Sequence, residues 1–357
     1  MASRRRTVVV VSAVVVALVL LLGARAVWRD EHRTGLRDAV DVVPRSTLRL
    51  GFTDWAAVRH ELGVPDEARP TAATIDRLTS KAYDTDLSAA SSIDESTAAL
   101  QKNFGFSPAT VEWEAYAQSR AGATMVVRLP DDIDPQDVTD HLDELGFKKP
   151  DSSTGVWKGG VDLVAAIDPS ITPELQYVAV LADKHLVVTS DTEGYAEQAA
   201  AAAKGDEDSL GDVASTRQLV ETMKEPAAAM VWAGDFACED LAMSQADEDS
   251  QSQADSLVQA AGGVSPLSGL VMAMAPDRDL VVRELFESAG QAKGDLRPRA
   301  KLAVGEAPGR GGTFSDDLRL VSSRTDGPVV RLEFRPRTRT GFVLSGLDNG
   351  PVLFATC

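Results

Sequence analysis

The sequence predicts an α+β protein: an N-terminal transmembrane helix followed by two tandem, diverged α+β units with antiparallel sheets. Three observations carry that expectation. Residues 7–24 are an unbroken apolar run. Downstream, short apolar strands come as hairpin pairs separated by helices, without the sustained strand–helix–strand series of a parallel sheet. The order of these elements then recurs. Each series opens on a strand that ends in an aspartate before a helix, at Asp54-Trp55 and again at Asp235-Phe236.

The apolar run comes first. Eighteen uncharged residues lie at the lower limit for crossing a hydrocarbon core about 30 Å thick. Inside lipid such a segment must be a helix, because only then is its backbone self-satisfied. Arg4, Arg5 and Arg6 precede it and Trp28 falls at an interfacial position, so the N-terminus is expected in the cytoplasm. Residues 1–28 are therefore read as cytoplasmic tip and signal anchor, with the lipid bilayer as partner through residues 7–24. Ala24-Arg25-Ala26 offers the alternative of secretion after cleavage near Ala26, although the run exceeds the usual signal core of roughly 7–15 residues. Either way the chain beyond about residue 29 is expected outside the cytoplasm.

Composition narrows the partners. Without the arginines at 4, 5, 6 and 25, the 36 basic residues fall to 32 against 54 acidic ones, a net charge of −22. Such a field argues against nucleic acid and anionic lipid surfaces. A hydrophobic fraction of 44% is that of a globular chain.

Residues 29–43 read as a charged juxtamembrane stalk, and residues 44–204 as the first unit. Leu48, Leu50 and Phe52 alternate as in a strand. Asp54 can cap a short helix that stops at Gly63, and helices are expected at 71–84 and 87–103. Strands near 111–118 and 123–130 form a hairpin, Asp134-Pro135 opens a helix, and 176–190 make a second hairpin before a helix at 192–203. The connecting segment is 205–225. In the second unit, 226–357, the expected elements are a strand at 227–235, a short helix, a helix at 245–261 and a hairpin around Asp277. A helix near 295–305, a hairpin across Gly327, a short helix at 341–348 and a terminal strand at 351–357 follow.

No motif carries chemistry. His60-Glu61 starts like a zinc-protease signature, but position 64 is Val. Asp247, Asp249 and Gln251 open like a calcium loop, yet Ser252 and Val258 stand where Gly and Glu belong. The glycine-rich stretch 305–313 lacks the lysine of a phosphate loop. Trp55, Trp113, Trp157 and Trp232 read as core. Arg331, Arg335, Arg337 and Arg339 are the basic concentration of an acidic chain. They fit pairing with neighbours such as Asp316 and Asp317, or else an edge that meets a phosphorylated or carboxylated envelope polymer. No catalytic, cofactor or metal residues are assigned.

Several stretches carry a resemblance: residues 44–59, residues 104–118, the phrase Asp140-His141-Leu142 running to Phe147, and the terminal Gly350 to Cys357. They resemble membrane-anchored actinobacterial envelope proteins with duplicated α+β repeats, a group with no assigned function. The resemblance implies an envelope location and offers no catalytic residue.

Cys238 and Cys357, the two cysteines of the chain, are expected to form a disulfide, since exported thiols meet an oxidising environment and the strands at 227–235 and 351–357 could lie side by side. The expected function is a non-enzymatic binding or scaffolding module of the cell envelope, engaging an envelope protein, glycan or lipid. The alternative is an envelope hydrolase or transferase using paired carboxylates, Asp54 and Asp235.

Overall fold

In chain order the strands are β1 (Arg49–Asp54), β2 (Trp113–Ser119), β3 (Gly122–Arg128), β4 (Trp157–Lys158), β5 (Tyr177–Leu181), β6 (Leu186–Ser190), β7 (Ala228–Ala233), β8 (Gly269–Met274), β9 (Leu280–Leu285), β10 (Leu318–Asp326) and β11 (Val329–Pro336). They join in one antiparallel sheet in the order β10-β11-β9-β8-β7-β1-β2-β3-β6-β5-β4. The computed structural model describes residues 34–357. The apolar run at 7–24 and Trp28 therefore lie outside the described residues. Among those described, no helix is long and apolar enough to cross a membrane.

The mixed α+β class with a large antiparallel sheet is as expected from sequence. The series β1-β2-β3-β6-β5 on one side of the centre is matched by β7-β8-β9-β11-β10 on the other. The two series meet where β1 and β7 pair antiparallel, with Gly51 opposite Met230. Gly51 is required there by close approach: a Cβ would stand 2.5 Å from the carbonyl oxygen of Ala90.

The helices are α1 (Gly35–Val40), α2 (Trp55–Leu62), α3 (Ala72–Asp84), α4 (Thr97–Phe104), α5 (Pro135–Glu144), α6 (Val161–Ile167), α7 (Glu193–Lys204), α8 (Ala214–Val220), α9 (Phe236–Asp240), α10 (Glu248–Ala261), α11 (Ala289–Leu302) and α12 (Phe314–Asp317). Local chemistry sets their ends. Asp54 accepts the N–H of Ala57 at 2.8 Å to cap α2, which stops at Gly63 in the left-handed region. Asp134 caps α5 with Pro135 in its first turn.

One face of the sheet carries most of the helices, with Ile75 and Leu78 of α3, Phe104 of α4, Leu142 of α5 and Leu302 of α11 in a shared core. The opposite face is covered by α1, α7 and α8 through Leu36 and Val40, Ala196 and Ala200, and Leu219 and Val220. Where a stalk is expected, α1 thus belongs to the folded body. Its charged residues are confined to one side while Leu36 and Ala39 are fully buried.

Three other segments differ from expectation. Helix formation after α3 resumes only at Thr97, because Asp86 sits at φ +63 and turns the chain. Helix α11 starts at Ala289, earlier than expected, and accommodates Pro298 within it. Residues 341–357 form bends and a 3₁₀ turn (Leu353–Ala355) rather than a helix and strand. The N–H groups of Val343, Leu344 and Ser345 bond to Asp86 instead of to a helix or ladder partner.

Cys238 and Cys357 are disulfide-bonded, with Cα atoms 5.5 Å apart. The bridge ties α9 to Cys357, two residues beyond the terminal 3₁₀ turn, not two adjacent strands. Val352 nonetheless donates its N–H to Leu241 at 2.9 Å, so the C-terminus is held against the loop that follows α9.

Candidate functional site

Asp54 and Asp235 precede equivalent helices but do not meet. Strands β1 and β7 run antiparallel, Thr53 opposite Ala228 and Arg49 opposite Trp232. Asp54 therefore lies at one end of the pair and Asp235 beyond the other, on the order of 20 Å away at about 3.4 Å per residue. The carboxylate partner of Asp54 is Glu225, a residue the sequence reading placed only in the connecting segment. Glu225 accepts the N–H of Gly35, at the start of α1, at 2.6 Å. Burial, then repulsion from Asp54, raises the Glu225 carboxyl to about 8. Burial also raises Asp54, against the pull of the Ala57 N–H. Both carboxyls thus hold backbone at helix starts.

Two further carboxyls are wholly buried. Glu114 on β2 accepts from Trp55 Nε1 (3.0 Å), Ser91 Oγ (2.6 Å), Ser92 N (2.6 Å) and Ser92 Oγ (2.8 Å). Glu284 on β9 has no hydrogen-bond donor in reach and stands 4.0 Å from Arg299. Burial raises it to about 7. The four tryptophans of the sequence reading are packed in the core; they line no groove together.

The basic segment separates into individual contacts. Arg335 bonds Asp279 through two nitrogens, each at 3.0 Å, and Arg337 donates to the Ser315 carbonyl at 2.6 Å. Asp316 caps α12 through the Thr313 N–H, so the expected side-chain pairing with Asp316 and Asp317 is replaced by Asp279 and backbone oxygens. Arg331 faces two other arginines: it is opposite Arg283 of β9 and opposite Arg324 of β10. The result is a row of three guanidinium groups across β9, β11 and β10.

The position of that row distinguishes the two halves. In the first half, α7 lies over β3, β6 and β5. In the second, α8 reaches β8 and β9, while β11 and β10 receive no equivalent helix among the described residues. After β11 the chain crosses to the other face, where Phe354 packs against Phe314 and Phe334 with ring centroids 5.0 and 6.1 Å apart. What remains is an open sheet face bounded by α8 and residues 221–226. Two cavities of about 250 and 480 Å³ lie on it, and Arg283 and Arg331 line both. Val321, displaced by a bulge in the β10–β11 ladder, stands 53% exposed at its rim.

Arg283 was missed in the sequence reading, although a signal exists: it shares the alternating face of Val281 and Leu285, an inward position where a charge is unusual. Comparison with protein-family models, curated proteins and solved structures yields no match to this chain.

Proposed function

We propose that this protein is a membrane-anchored, extracytoplasmic, non-enzymatic module that binds or scaffolds a component of the cell envelope on the open face of β9, β11 and β10. The observation that supports this reading is the asymmetry of the sheet. A face with the same strand order is roofed by α7 in one half and left uncovered at β11 and β10 in the other, and an uncovered face with arginines and an exposed valine is a place to bind. Residues 7–24 are the proposed anchor, and the two halves are read as diverged copies of one α+β unit, the second having given up its covering helix. The buried carboxyls support the non-enzymatic reading because Asp54, Glu225 and Glu114 are committed to backbone N–H groups and an indole of their own chain.

The test uses the full chain in its native membrane, carrying Val321→Cys and treated on intact cells with a bulky, membrane-impermeant maleimide. The expected result is labelling from outside and release of the labelled protein from the insoluble envelope fraction after detergent extraction. Labelling only after the cells are opened would overturn the topology. Unchanged association with the envelope fraction would overturn the assignment of the face.

A further inference from the structure

The buried arginines of this protein divide in two. Arg59 and Arg299 keep a carboxylate beside them, whereas Arg278 and Arg283 bond only backbone carbonyls. Of these two, Arg283 is the one faced by another arginine. Arg59 has Asp66 at 2.6 Å, Arg49 has Asp348 at 3.3 Å and Arg299 has Asp295 at 3.6 Å. Arg283 is only 4% exposed, and no carboxylate among the described residues lies within ion-pair distance. Its Nη groups donate to the carbonyls of Leu219 (2.6 Å) and Thr222 (3.0 Å), and its Nε has no acceptor. Carbonyls satisfy N–H groups but do not neutralise a charge, and an unpaired buried charge is costly.

The surroundings deepen the deficit. Arg331 lies directly opposite, its own Nε also without an acceptor, and like charges opposed across a ladder repel. The nearest carboxylate in the row, Glu333, is already shared by Arg324 at 3.0 Å and Arg331 at 2.7 Å. Asp326 attracts Arg283 only from beyond ion-pair distance. Burial and then Arg331 lower the Arg283 guanidinium to about 10. Asp277 and Asp279 line the smaller cavity and Glu221 and Asp326 the larger, but none of them reaches ion-pair distance of Arg283, and Asp279 is taken by Arg335. Within the row itself, Glu333 serves Arg324 and Arg331 and leaves Arg283 without a close negative charge.

The wall beside Arg283 is apolar in part, with Lys224, Asp277, Asp279 and Glu333 also on the lining. Its apolar part is Met223, Pro226, Val281 and Val321. We infer that this trough binds a small amphiphilic oxyanion, its carboxylate or phosphate head over Arg283 and Arg331 and its aliphatic body against Val281 and Val321. The inference rests on the open-face reading and gives it a ligand class. The acidic surface of the protein works against long polyanions but acts weakly on one charge, because its field is screened beyond about 8 Å at physiological ionic strength.

Titration calorimetry on the full-length protein in a zwitterionic membrane mimic tests this with hexanoate, hexyl phosphate, hexanol and inorganic phosphate, empty mimic being subtracted. Hexanoate and hexyl phosphate are expected to bind saturably, at least ten-fold more tightly than inorganic phosphate, and hexanol not at all. The tighter of the two amphiphiles identifies the head group. Arg331→Ala, whose side chain is 22% exposed, should weaken both at least ten-fold, and Glu333→Gln should strengthen both by removing the competing carboxylate. Inorganic phosphate binding as tightly as hexyl phosphate would overturn the apolar half of the site. Absence of binding, or equal binding by Arg331→Ala, would overturn the site altogether. If that happened while the Val321 adduct still released the protein from the envelope, the open face would stand and only its ligand class would fall.

Discussion

Arg283 and Glu284 are consecutive on β9, both buried, and neither neutralises the other. Successive side chains leave a strand on opposite faces, so Arg283 joins the arginine row while Glu284 enters the opposite core beside Arg299. The two stay separate electrostatic problems, which makes each testable alone.

Glu284 is expected to make stability fall as pH rises. Burial raises its carboxyl to about 7 in the folded protein, above the ordinary value of 4.5. Between those values the folded state holds a proton that the unfolded state has released, so stability is full below about 4.5 and is lost towards 7. Glu284→Gln cannot lose that proton. Its urea midpoint should exceed that of the wild type at pH 8, and the gap should close by pH 4.

Glu225 should behave similarly over a wider window, from its ordinary 4.5 up to about 8. Glu225→Gln keeps an oxygen for the Gly35 N–H and offers a donor to Asp54. It should raise the melting temperature at pH 8 and leave it unchanged at pH 4. A lower melting temperature at pH 8 would show that the negative charge itself holds α1 in place.

Asp86 connects the turn after α3 to the C-terminal loop. Its carboxylate accepts the N–H groups of Val343 (2.7 Å), Leu344 (2.6 Å) and Ser345 (3.1 Å), and the Ser345 hydroxyl as well. Asp86→Ala strands all of these donors and should cost about 3 kcal/mol, read as a lower urea midpoint at unchanged slope. Asp86→Asn tolerates the left-handed backbone at φ +63 and keeps one acceptor, so it should cost less.

The disulfide closes a span of 119 residues, for which the chain-entropy account gives about 4–5 kcal/mol. Against a typical net stability of roughly 5–15 kcal/mol, its loss matters. The double variant Cys238→Ser, Cys357→Ser should unfold at clearly lower urea, and mass measurement of the unreduced wild type should show no free thiol.

What could be read in the sequence were features whose signal is local. The cap at Asp54, the stop at Gly63 and the hairpin turn beside Asp183 are set by neighbouring residues, and they stand where the sequence puts them. What could not be read depended on partners far along the chain. Residues 341–348 carry a helical pattern, but Asp86, more than 250 positions earlier, takes their N–H groups. Glu225 looked like the end of a linker because Gly35 is 190 residues away. For Arg283 the sequence displays a charge on an inward strand face, but not the register that sets it against Arg331. The disulfide was legible from scarcity of cysteine, whereas the elements it joins were not.

The seam between β1 and β7 has a consequence for how this chain can be divided. A cut between residues 205 and 225 would give each fragment a full set of strands and helices, yet would bare β1 on one and β7 on the other, both lined with buried residues in the intact protein. Each fragment would then carry a formerly central strand as an open edge, a ready template for another chain. Expressed apart, the fragments should aggregate or pair with themselves; expressed together, they should reassemble through this seam, making the protein a natural candidate for complementation from two pieces.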